Sequence, residues 1–144
     1  MSYSGHRRII DTDSHLMELD TFLLDATREE HKGKVPTIFD QKDLPLTQEI
    51  IDHARTLFEK RQNNAETMAK FEASLLDNRK GGLTRLGAFD PAERSHALDL
   101  FGFEMQWVLP TFSFHQVAHL EDPDSLEAGA ITLNKAMGDF CSHD

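Results

Sequence analysis

Three carboxylates and one imidazole fall within eight residues of the stretch Arg8-Ile9-Ile10-Asp11-Thr12-Asp13-Ser14-His15-Leu16-Met17-Glu18. The carboxylates repel one another, and Asp and Ser are poor strand formers, so these residues add little to a fold by themselves. In an extended chain residues two apart share a face, so Asp11, Asp13 and His15 are expected to point the same way. At that spacing Asp13 and His15 can both reach one divalent cation, at about 2.0–2.2 Å. The cation would offset the repulsion between acids and keep His15 neutral. Asp11, one step deeper, is expected to orient a ligand from behind, and Glu18 to act as an outer partner or substrate contact. The competing reading is structural: Asp13 caps a helix or turn that begins near Ser14. Asp-x-His alone is too short a motif to choose between them.

Other residues with chemical potential are less organised. His115 and His119 are four apart, which on a helix puts both on one face, either as a lid or substrate contact or as two solvated histidines. No glutamate accompanies them as a zinc-protease motif requires. Cys141 is the only cysteine and forms no internal disulfide, which fits a reducing, cytoplasmic setting. With no basic neighbour in sequence it reads as a small buried hydrophobe. Trp107 and Phe103 read as core.

These residues need elements to position them. Residues 8–13 form a first short strand, and a short helix is expected near 19–30. Residues 47–80 are a helical insertion, clearest over 47–78, where Ile51, Ala54, Phe58, Arg61, Met68, Phe71 and Leu75 recur at three- and four-residue spacing until Gly81-Gly82. Its Lys/Glu-rich part, 55–72, reads as a solvated face. A helix–strand unit spans 90–109. Asp90-Pro91-Ala92-Glu93 supplies an N-cap, a proline at the first position and a capping-box glutamate, and Gly102 supplies the stop. FEMQWVL, Phe103 to Leu109, is strand-like and ends at Pro110. A last helix covers 124–141, started by Asp122 or Asp124. Strands joined through helices pair in parallel, and parallel sheets rarely have two strands. The fold class is therefore α/β, reading like the start of something larger.

The bulk numbers exclude several functions. The 144 residues suffice for one domain with a real core. Net charge is −10, with 12 Lys/Arg against 15 Asp/Glu in residues 1–80 and 3 against 10 in residues 81–144. No basic stripe exists to neutralise phosphates, which argues against nucleic acid and anionic membrane surfaces as partners. No apolar run approaches the about 20 residues of a membrane span, and the N-terminus lacks an apolar signal core.

The segment IIDTDSHLME, Ile9 to Glu18, resembles the first-strand signature of the amidohydrolase superfamily. The likeness is to its amidohydrolase-related branch, which includes the aminocarboxymuconate-semialdehyde and resorcylate decarboxylases. There Asp-x-His or Glu-x-His often replaces the superfamily's His-x-His. GAFDPAERSHALDLFGFEMQWVLPTFS, Gly87 to Ser113, is similar to the branch's second β/α unit, and LNKAMGDFCSHD, Leu133 to Asp144, to the helix before its third strand. The resemblance covers both ends of the chain and leaves 47–80 as a variable insertion.

The resemblance implies the N-terminal portion of a (β/α)8 TIM barrel, about two β/α units plus the insertion, with the site at the strands' C-terminal ends. Such barrels take about 250 residues, so the chain reads as truncated. Asp13 and His15 match two metal ligands. The family's remaining ligands, and the aspartate that moves protons, would lie beyond Asp144. Zinc is the expected metal, with manganese or magnesium also compatible. The expected activity is hydrolysis or non-oxidative decarboxylation of a small carboxylic or aromatic substrate, with this portion inactive alone. Exposed strand edges favour a homo-oligomer or pairing with a missing part. The alternative is a non-catalytic helical interaction module, or a decayed-gene product, on a half-barrel.

Overall fold

The apolar pair Ile9-Ile10 leads into a strand that is polar in its middle and apolar again at its buried last residue, Leu16. The computed structural model describes residues 3–38, 45–77 and 82–143. In it β1 spans Ile10–Leu16, not 8–13, and β2 spans Met105–Pro110, not 103–109. The two pair in parallel, from Ile10 opposite Met105 to Leu16 opposite Pro110. The polar segment of β1 stays extended because its side chains are met. Gln106 Nε2 donates to Asp11 Oδ2 at 3.1 Å, and Arg94 Nη1 donates to Ser14 Oγ at 2.7 Å. Tertiary partners here override weak strand propensity.

Among the described residues six α-helices accompany this pair: α1 Phe22–Ala26, α2 Pro45–Gln62, α3 Ala65–Ala73, α4 Pro91–Phe101, α5 Ser113–Ala118 and α6 Pro123–Cys141. The helix expected over 19–30 is shorter, with a single 3-10 turn at Glu29–His31 after α1. α4 and α6 start where their acids announce them. Asp90 accepts from the Glu93 N–H at 2.9 Å, and Asp122 from the Ser125 N–H at 2.8 Å. At the end of α4, Gly102 takes φ +68 and the Phe103 N–H donates to the Leu98 carbonyl at 3.1 Å. That Schellman closure uses up the residues expected to open β2.

The insertion is two helices rather than one. Asn64, at φ −145, turns its side chain onto the Thr67 N–H at 2.9 Å and so caps a new helix in mid-run. Gly81 and the end of the 47–80 insertion lie outside the described residues. Arg61 docks α2 onto α4. Its buried guanidinium donates to Glu93 Oε1 at 2.5 Å and Oε2 at 2.6 Å, between the rings of Phe58 and Phe71. Glu93 thus serves Arg61 instead of closing a capping box, and Arg61 is no part of a solvated face. The Gly87 N–H also reaches Glu93, at 3.2 Å. Gly87 itself has φ +72, and a Cβ there would lie 3.0 Å from the Arg94 Cα, so the close approach requires glycine.

Three apolar groups hold the helices. Leu23, Val35, Ile38, Val117, Ala128 and Leu133 join α1, α5 and α6. Ile51, Ala54 and Leu83 pack with Met17 and Phe89 near the end of β1, while Leu75, Leu86 and Ala97 back α4. The sheet face away from α4 stays open: Ile10 is 55 %, Met105 58 % and Trp107 67 % exposed. Trp107 is therefore not core, because its alternation places it on the face that no helix covers among the described residues. Phe103 is half-buried and stacks on Phe101. Cys141 is exposed rather than buried, since α6 turns Phe140 inward at that point. Among the described residues no helix is long and apolar enough to cross a membrane.

Candidate functional site

Between Asp11 and Ser14, β1 holds one residue more than β2: Asp11 lies opposite Gln106, and Ser14 opposite Val108. This bulge corrects the expectation that Asp11, Asp13 and His15 share a face. Gln106 and Val108, two apart, point the same way, so Asp11 and Ser14 both turn towards α4. Asp13 and His15 emerge on the opposite, open face, alongside Ile10, Met105 and Trp107. Asp11 still serves the pair indirectly, since its Oδ1 accepts the Asp13 N–H at 3.2 Å and steadies the bulge.

Asp13 and His15 do come together. Asp13 Oδ1 is 3.5 Å from His15 Nε2, with the side chains 87 % and 49 % exposed. That separation exceeds an ordinary hydrogen bond. It is about the edge of a tetrahedron whose vertices lie about 2.0–2.2 Å from the centre, the ligand distance of zinc. The donor set fits a divalent cation, but only in part: among the described residues no group of three His, Cys, Asp or Glu is placed to hold a metal ion.

The surroundings of His15 are more ordered than those of Asp13. Its Nδ1 lies 3.2 Å from Thr111 Oγ1, at the end of β2, and its carbonyl accepts from Arg94 Nη2 at 2.8 Å. Burial pushes the Arg94 guanidinium below its ordinary pKa, against the opposing pull of Asp11. Glu18 is fully buried, and its carboxylate accepts from the backbone N–H groups of Thr111, Phe112 and Ser113 at 3.0–3.3 Å and from Ser113 Oγ at 2.5 Å. The reading of Glu18 as a substrate contact is corrected accordingly: its oxygens are occupied, and it ties the end of β1 to the turn after β2.

His115 lies on α5 and His119 caps its end, both exposed. Their rings stack with centroids 4.0 Å apart, and His119 Nδ1 donates to the His115 carbonyl at 2.7 Å. They share a face, as their spacing requires, without joining Asp13 and His15 in a metal set. A cleft of ≈ 320 Å³ runs beside β1, with Asp11, Asp13, His15, Arg85, Arg94 and Gln106 in its lining. Both signs of charge meet there, as a small polar ligand requires.

Sequence reasoning missed Thr111 and Arg94. Thr111 had a signal, because Pro110-Thr111 directly follows the second strand, on the same end as His15. Arg94 had none: a basic residue in the first turns of a helix does not reveal which strand it will reach. No family model, curated protein or solved structure matches the chain.

Proposed function

We propose that this chain carries the metal-holding corner of an amidohydrolase-like hydrolase or non-oxidative decarboxylase acting on a small carboxylic or aromatic substrate. The supporting observation is the convergence of Asp13 Oδ1 and His15 Nε2 to 3.5 Å where a parallel strand ends. A bound cation supplies Lewis acidity towards a substrate carbonyl, carboxylate or water. Asp13 and His15 would hold it, and Arg94 pins the His15 main chain. The mixed-charge cleft beside β1 suits a small polar substrate. Two protein donors are half a site, so the chain alone has little or no turnover, and the other ligands belong to the rest of a barrel. The open sheet face supports that larger barrel, since parallel sheets are ordinarily covered on both sides.

Metal analysis tests the reading. Zinc added to the purified chain is expected to bind weakly, to leave on dialysis, and to bind less to Asp13→Ala or His15→Ala. Tight stoichiometric zinc in a monomer would contradict the half-site. Binding that ignores both substitutions would end the metal assignment. A second reading is favoured by Ile10, Met105 and Trp107 on the open face: a non-catalytic module that docks a partner there. It requires the same partner affinity in the His15→Ala chain.

A further inference from the structure

The hydroxyl of Thr111 carries one hydrogen and has three neighbours that could take it, of which the Met17 sulfur, at 3.8 Å, is the weakest acceptor. Thr111 Oγ1 lies 2.6 Å from the Leu16 carbonyl oxygen, which can only accept, so the hydroxyl hydrogen points there. The same Oγ1 lies 3.2 Å from His15 Nδ1. With its hydrogen already committed, Oγ1 accepts in that contact, and Nδ1 must carry the proton. A neutral His15 then has its lone pair on Nε2, the nitrogen 3.5 Å from Asp13 Oδ1. A carboxylate oxygen and an imidazole lone pair facing each other suit a positive charge between them, whether a proton on Nε2 or a metal cation.

Thr111 can do this only if its main chain is fixed, and Glu18 fixes it. A fully buried carboxylate is costly unless donors surround it. Here three consecutive N–H groups, Thr111 to Ser113, together with the Ser113 hydroxyl, close on one side chain. Such a concave run of amides is an anion-binding nest, filled by a residue only three positions beyond His15. The bond network therefore runs from Glu18 through the backbone of Thr111 to its hydroxyl, and from there to the His15 ring.

We propose that Glu18 and Thr111 are positioning residues that hold His15 as its Nδ1–H tautomer and so present Nε2 towards Asp13 for a cation. The proposal rests on the metal reading for its purpose, though not for its geometry. Outer partners of this kind are worth about 10–100-fold in metal affinity elsewhere.

Long-range proton–nitrogen correlation spectra of the full chain, labelled with nitrogen-15 and recorded where histidines are neutral, read the tautomer directly. His15 is expected to show Nδ1–H in the metal-free chain. Thr111→Val should lose that preference and weaken zinc binding by about 10–100-fold, and Thr111→Ser should restore both. Glu18→Gln should move the amide signals of Thr111, Phe112 and Ser113 together with the His15 pattern. An Nε2–H tautomer in the parent chain overturns the proposal, as does a His15 pattern indifferent to Thr111→Val. If the tautomer behaves as expected but zinc leaves the His15 signals untouched, the positioning stands and the metal reading falls.

Discussion

A carboxylate withdrawn from water has to be met by donors, and this chain meets two of them from different sources. Glu18 is met by three backbone amides, which side-chain exchanges other than to proline leave in place, and by the Ser113 hydroxyl. Glu93 is met chiefly by one side chain, Arg61, and the pair is almost fully buried, at 0 % and 3 % side-chain exposure. Without Arg61, Glu93 would keep, among the described residues, Gln62 at 2.9 Å and the Gly87 N–H. Removing one partner of a buried pair leaves an uncompensated charge, whereas replacing both with apolar groups is often tolerated. Arg61→Met is therefore expected to cost about 3–5 kcal/mol in urea unfolding. The double variant Arg61→Met/Glu93→Leu should recover most of that loss. If the double variant is no better than the single one, the ion pair is not what seats α2 on α4.

At the scale of elements, the helix starts that were legible are those where one side chain does the capping. Asp122 shows the consequence. Its carboxyl is held below the usual aspartate range, first by the Ser125 hydroxyl and then by the Ser125 N–H. A depressed folded pKa stabilises the helix above the unfolded value, and that support is lost as pH falls through the folded one. Hydrogen-exchange protection at Leu126 and the next turn of α6 should therefore fall on acidification, and Asp122→Asn should remove this pH dependence. The rest was less legible for physical reasons. Three-and-four spacing continues across Asn64, so periodicity alone does not separate α2 from α3; the asparagine's own cap does. The strand bulge at Thr12-Asp13 depends on the register of the partner strand; the Asp11 side chain steadies it from within β1, but an aspartate two residues back does not by itself announce a bulge. Alternation says that Trp107 and Val108 face opposite ways, but not which way is covered. Asp13 and His15 come together as their two-residue spacing implies, because the chain is regular again from Asp13 onward; Asp11 does not join them because the bulge lies between.

At the scale of the whole molecule, the site and the open apolar face are the same surface. Asp13 and His15 stand at one end of a sheet face that also carries Ile10, Met105, Trp107 and Leu109. Large apolar side chains exposed together on one sheet face are a common mark of a covered surface. Lying on a two-stranded parallel sheet, they would be covered by further strands in a barrel, by a second copy, or by a docked protein. Trp107 is the only tryptophan in the chain, so its fluorescence reports on this face and nothing else. Dilute chain should emit as a water-exposed indole and be quenched readily by acrylamide. Raising the concentration should shift the emission to the blue in step with an increase in mass by light scattering, if copies close over the face. Trp107→Lys should abolish that mass increase while moving the urea midpoint little, because a side chain already in water loses almost no packing. A buried-type emission spectrum in dilute monomer would mean that the face is already covered, and the support it lends to a larger barrel would be lost.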